Sequence, residues 1–165
     1  TSLADTDAHG SVAARATVRA APLLKGPSWG ATGAGPNDVS SLNDYLGTES
    51  VTVPALPQPV VAAKVHSTRT QAGALGDPYG SGVRTVWWVF GVGPVKMTFE
   101  HAGGSDAPVT TSELQETNLT SKEPPTDANY FPLTKGMKMK YRWRNPRYLK
   151  KPSVQAVTID EVVNS

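Results

Sequence analysis

The chain has 165 residues, a length that suits one domain, or one and a part, and that can bury a core. It has no cysteine, which excludes a disulfide scaffold, thiolate zinc sites and a cysteine nucleophile, and its 29 glycines and prolines argue for many turns and short elements rather than a helical bundle. Net charge is +2, but residues 1–127 carry 8 basic and 12 acidic groups, whereas residues 128–165 carry 8 and 2, so the tail is a candidate docking surface for an anion or for the chain's own acidic part.

No apolar run reaches the length of a membrane span, so the chain is expected to be soluble. It opens without a basic and apolar leader, and a signal peptide is expected to have been removed or never to have existed.

In chain order, residues 1–10 are a polar lead-in. Val12, Ala14, Ala16, Val18 and Ala20 then alternate with Ala13, Arg15, Thr17 and Arg19, which predicts a strand against the helical preference of alanine. Residues 25–38, KGPSWGATGAGPND, predict a long loop. DVSSLNDYL predicts a short helix, capped by Asp38 or Ser40 and stopped by Gly47. Pro54, Pro57 and Pro59 forbid a central strand across them. Val61, Ala63, Val65, Ser67 and Arg69 alternate with Ala62, Lys64, His66, Thr68 and Thr70, the profile of a half-buried strand.

AGALGDPYGSG (72–82) is a turn, and Val83 to Phe90 is a β-branched and aromatic strand. A turn over Gly91–Pro94 leads to a second strand with Val95, Met97 and Phe99 on one parity, so the two form a hairpin. SELQETNL (112–119) predicts a helix, with Ser112 and Gln115 as a capping box. Residues 120–129 have linker composition, and 154–163 is a last β-branched run. The expected total is six or seven strands and one or two short helices. The expected fold is therefore mostly β, an antiparallel sheet forming a sandwich or an open half-barrel. Its expected parts are a main module over 1–119, a linker at 120–129 and basic strands over 130–165.

Motifs that carry chemistry are sparse. Gly91-Val92-Gly93 opens like a dinucleotide fingerprint, but Pro94 and a strand follow where a helix N-terminus is needed, and GDPYGSG lacks the Lys-Ser/Thr ending of a phosphate loop. Asp5 to Gly10 starts like a calcium loop, yet Ala16 stands where the bidentate glutamate belongs. His9, His66 and His101 form no close pair for zinc, and Glu100 and His101 on one strand point to opposite faces. No clustered carboxylate pair occurs, and no serine stands on an expected strand-to-helix elbow. The expectation is a protein that is not an enzyme and uses no cofactor or metal.

GMKMKYRWRNP (136–146) is the most regular stretch. Met137, Met139, Tyr141 and Trp143 take one parity and Lys138, Lys140, Arg142 and Arg144 the other, placing like neighbours about 6–7 Å apart on one strand face. Basic groups interleaved with Tyr130, Phe131 and Tyr148 suit single-stranded nucleic acid. The alternation argues against that use, because rings and cations fall on opposite faces. Met137, Met139, Tyr141 and Trp143 read as core and the cations as a solvated face, with docking to an acidic surface or anionic polymer next in order and nucleic acid last. The candidate docking residues are Lys138, Lys140, Arg142, Arg144, Arg147, Lys150 and Lys151. Trp87, Trp88 and Phe90 are candidate lining for an apolar ligand.

Two stretches resemble repeat-like β modules of secreted and lipid-anchored bacterial cell-envelope proteins. Tyr130-Phe131-Pro132-Leu133, Gly136 and Tyr141 are similar to their opening strand, with Met139 where tryptophan is usual. Trp87-Trp88, Gly91, Gly93, Val95 and Lys96 are similar to their closing strand. The resemblance covers about 60 residues and carries over no catalytic position. It implies a non-enzymatic structural or partner-binding module, outside the cell or on its surface. The closing motif precedes the opening one, so the tail is expected to complete either its own sheet or a neighbour's, the latter by strand exchange. The expected partner is a second copy or another envelope protein, with an anionic polymer as an alternative; a half-barrel carrier of a lipid or other apolar ligand is a further reading.

Overall fold

The computed structural model describes residues 28–33, 39–71, 81–102, 108–122, 134–147 and 149–162. The expected strand at 12–20, the calcium-like Asp5–Gly10, most of the 72–82 turn and of the 120–129 linker, and Tyr130 to Leu133 lie outside them, as does Tyr148.

Eight strands run in chain order across one antiparallel sheet: β1 (Ser28–Gly33), β2 (Val39–Val51), β3 (Val60–Gln71), β4 (Gly82–Val89), β5 (Gly93–His101), β6 (Val109–Thr117), β7 (Lys138–Arg144) and β8 (Ser153–Thr158). Each strand pairs with its sequence neighbour, so the fold is an up-and-down meander whose edges are β1 and β8; the sheet is open. β7 pairs with β6 of the same chain, from Thr111 opposite Arg144 to Thr117 opposite Met139. No helix occurs among the described residues, and none there is long and apolar enough to cross a membrane.

Both expected helices are strands. In DVSSLNDYL, Asn43 and Tyr45 are buried while Leu42 and Leu46 are exposed, and in SELQETNL, Ser112 and Leu114 are buried while Glu113 between them is only half-buried. Those spacings of two have the period of a strand, and pairing on both sides overrides the local capping signals. The loop expected over 25–38 contains β1, whose partner is β2 from Ser28 opposite Asp44 to Gly33 opposite Val39. A ladder is made of backbone groups, so a Gly-rich edge segment can join it without an alternating pattern. The predicted 83–100 hairpin forms as β4 and β5, its turn at Phe90–Val92 closed by the Val92 N–H donating to the Val89 carbonyl at 3.1 Å.

The two ends of the sheet differ. At the end formed by the β2–β3 loop and the β4–β5 turn lies the main apolar cluster: Val51, Val53, Leu56, Ala62, Trp87, Val89, Val92, Val95, Leu114, Met137 and Met139. It unites residues that plain alternation assigns to opposite faces. Bulges between Tyr45 and Gly47, Trp87 and Trp88, and Leu114 and Glu116 make this possible, because each breaks the period of two and bends the strand. The β2–β3 loop folds across strands to reach β6, where the Ala55 N–H donates to the Leu114 carbonyl at 3.2 Å. Tyr141 on β7 likewise reaches past β6 and donates to the Pro94 carbonyl at 2.8 Å; burial pushes its phenol pKa well above the ordinary value.

Away from those bulges one face of β2 to β6 is buried. It carries Asn43 and Tyr45, Val65 and Ser67, Val86, His101 and Ser112, with a smaller apolar cluster of Tyr45, Ala63 and Val65 packed by Trp88. This inner face is apolar next to the main cluster and turns polar towards the far ends of β3, β4 and β5.

Candidate functional sites

The cationic row of β7 is placed as its alternation predicts. Met137 and Met139 are buried; Lys138, Arg142 and Arg144 are exposed, as are Arg147, Lys150 and Lys151 beyond the strand. Lys140 is half-buried and its ammonium meets the Glu116 carboxylate at 2.8 Å, both side chains largely in solvent. Such a pair contributes at most about 1 kcal/mol. β6 sets Glu113 opposite Arg142, and β8 sets Val154 opposite Arg142, Ala156 opposite Lys140 and Thr158 opposite Lys138. β8 is the edge strand; Ser153 to Ala156 are exposed, and Val154 keeps 58% of its surface. The β7–β8 hairpin thus presents cations beside small apolar side chains on an edge that no other described strand pairs.

The three aromatic candidates do not line one space. Trp87 and Trp88 are adjacent on β4 and diverge: Trp88 packs on the Tyr45 cluster, while Trp87 joins the main core. Phe90 sits in the turn and its carbonyl accepts the Lys122 N–H at 3.1 Å. The Trp87 indole N–H donates to Glu49, and Lys64 and Lys96 each hold their ammonium 5.3 Å from the ring centroid. Lys64 also pairs with Glu49 at 3.2 Å.

The hydrogen bond from Trp87 and then the charge of Lys64 hold the Glu49 carboxyl below its ordinary pKa of 4.5. A depressed pKa means that the contribution is complete above the unfolded value and is lost as pH falls through the folded one. Acid titration below pH 4.5 is therefore expected to change the Trp87 fluorescence. In Glu49→Gln that pH-dependent change is expected to vanish; its persistence would assign the titration to another group.

A third set was not singled out in the sequence. Arg69 and Arg84 sit on the inner parity: Ser67 is opposite both Asn43 and Arg84, Arg69 is opposite Gly82, and Phe99 is opposite Arg84. The two guanidinium groups are thus diagonal neighbours on one face, and the Nε atom of each is buried without a hydrogen-bond partner. Burial, and then the charge of Arg69, lower the pKa of Arg84 from its usual value. Around them run hydroxyls and amides. Ser67 donates to Asn43 at 2.6 Å, the His101 Nε2 lies 2.7 Å from the Thr110 hydroxyl, and the Asn145 amide donates to that hydroxyl at 2.9 Å. The signal was present in the sequence, since Arg69 stands on the same parity as Val61, Ala63 and Val65. The parity of an arginine does not reveal whether the strand end carrying it is covered.

Compared with protein-family models, with curated proteins and with solved structures, the chain matches none.

Proposed function

We propose that this protein is a non-catalytic docking module, extracellular or on a cell surface, that binds an acidic partner through the outer face of its β7–β8 hairpin. The observation that carries the reading is the exposed row Lys138, Arg142 and Arg144 on a hairpin at the sheet's open edge. Solvent screens such a row, so it contributes little to folding and is free to supply attraction and orientation to a partner. The acidic excess of residues 1–127 makes a second copy one such partner, another envelope protein a second and an anionic polymer a third. The envelope setting rests on the resemblance of the YFPL and WW stretches.

Poly-glutamate is a suitable probe of the row. The protein is expected to bind it with an affinity that falls as salt rises. The triple variant Lys138→Glu, Arg142→Glu, Arg144→Glu should lose at least about tenfold in affinity, with its melting temperature close to that of the parent because all three side chains are exposed. Binding that survives the reversal would sink the reading.

A second reading, assembly by strand addition, is favoured by the outer edge of β8, which no other described strand pairs and which offers backbone donors and acceptors to another chain. A mass in solution that stays monomeric up to high concentration would rule it out.

A further inference from the structure

We propose that the inner face at the far ends of β3, β4 and β5 is a binding site for the oxyanion group of a small ligand, held by Arg69 and Arg84. The proposal is independent of the docking reading, because it uses the opposite face and other side chains.

An arginine is charged at any ordinary pH. Two of them as diagonal neighbours on a partly covered face repel each other, and each has its Nε withdrawn from solvent. Natural interiors offset that cost with an anion or with hydrogen bonds to every donor. Here neither Nε has such a bond. Among the described residues, the inner parity of β2 to β6 around the pair carries Ser41, Asn43, Ser67, Phe99, His101 and Ser112 and no carboxylate. Asp44 and Glu100 belong to the other parity.

The remaining polar groups leave the guanidinium groups to a ligand. The Ser67 hydroxyl is engaged by Asn43, and the Thr110 hydroxyl by His101 and Asn145. Carboxylate and phosphate oxygens match the forked donors of arginine, and a ligand between two such forks gains charge-assisted hydrogen bonds to both. An open hollow of about 440 Å³ lies at these strand ends and meets the pair at Arg69; Gly82 and His101 also reach it from the inner parity, whereas most of its wall, Glu100 included, belongs to the outer parity, and Arg84 does not line it. The Phe99 and His101 rings, tilted against each other with centroids 4.3 Å apart, stand beside the charges.

The test is thermal unfolding with increasing inorganic phosphate or hexanoate, ionic strength being held constant with sodium chloride. A saturable rise in melting temperature is expected with at least one of the two; a response to phosphate alone assigns a phosphate ligand, and to hexanoate alone a carboxylate. Arg69→Gln and Arg84→Met should each weaken the apparent affinity by about tenfold or more, whereas Arg142→Glu on the outer face should not. Arg84→Met keeps an unbranched apolar stem in place of the aliphatic part of the side chain and removes one of two repelling charges. Without anion it should melt no lower than the parent, an outcome that a purely structural arginine would not give. If Arg84→Met does not fold, Arg69→Gln decides alone. No rise beyond that in chloride, or a rise that survives both inner substitutions, overturns the proposal.

Discussion

Gly82→Ala is expected to remove a large part of the protein's folding stability. Gly82 opens β4 at φ +144°, a conformation that side chains rarely adopt, and a Cβ there would lie 2.2 Å from the Glu100 carbonyl oxygen, 2.9 Å from the His101 Cα and 2.9 Å from the Phe99 ring. Two of these obstacles are backbone of the paired strand β5 and cannot turn aside. Relief requires β4 and β5 to separate where Gly82 pairs with both Arg69 and His101. Backbone strain and lost pairing together place the cost at about 4–5 kcal/mol, a large part of the roughly 5–15 kcal/mol that holds a domain folded. Urea titration followed by circular dichroism measures it. A loss under about 1 kcal/mol would mean that the β4 terminus moves aside freely, and that the arginine pair is not held rigidly.

Leu114→Ala should cost about 2–5 kcal/mol. Leu114 is fully buried, and it joins three parts of the main cluster: the β2–β3 loop hydrogen-bonds its carbonyl, Tyr141 is its β7 partner, and the bulge of β6 begins beside it. Truncation removes apolar contact and leaves a cavity that this anchored loop and strand cannot collapse to fill. The loss should appear as a lower urea midpoint with an unchanged slope. Leu42→Ala is the matched control: 54% of Leu42 is exposed, and its loss should stay within about 0.5 kcal/mol. Equal losses for the two would contradict the assignment of the core to the Leu114 end.

Much of the fold is legible along the chain wherever a strand has one wet and one dry face. Met137 to Arg144 shows this most plainly, and so does the hairpin over Val83 to Phe99, where β-branched and aromatic residues flank a glycine turn. Legibility fails in two physical circumstances. β1 is written in SWGATG, which shows no apolar alternation and whose place in the sheet is its pairing with β2. The segments at 38–46 and 112–119 carry caps and helix-tolerant residues, and only their partners across the sheet make Asn43 and Ser112 interior. A polar residue buried by its neighbours leaves no local trace. Arg69 is a half-buried instance, because alternation assigned it to the inner row and could not say that its Nε is covered there.

By itself, then, the sequence determined the β class, the hairpin turn and the outward aim of the β7 cations, because each follows from a period of two and from glycine and proline chemistry acting within a few residues. The tertiary structure alone decided that Trp87 and Trp88 part company, that residues of both parities meet in one core beyond the bulges, and that Arg69 and Arg84 come together. These depend on register and bending between strands up to dozens of residues apart, and neither is encoded at any single position.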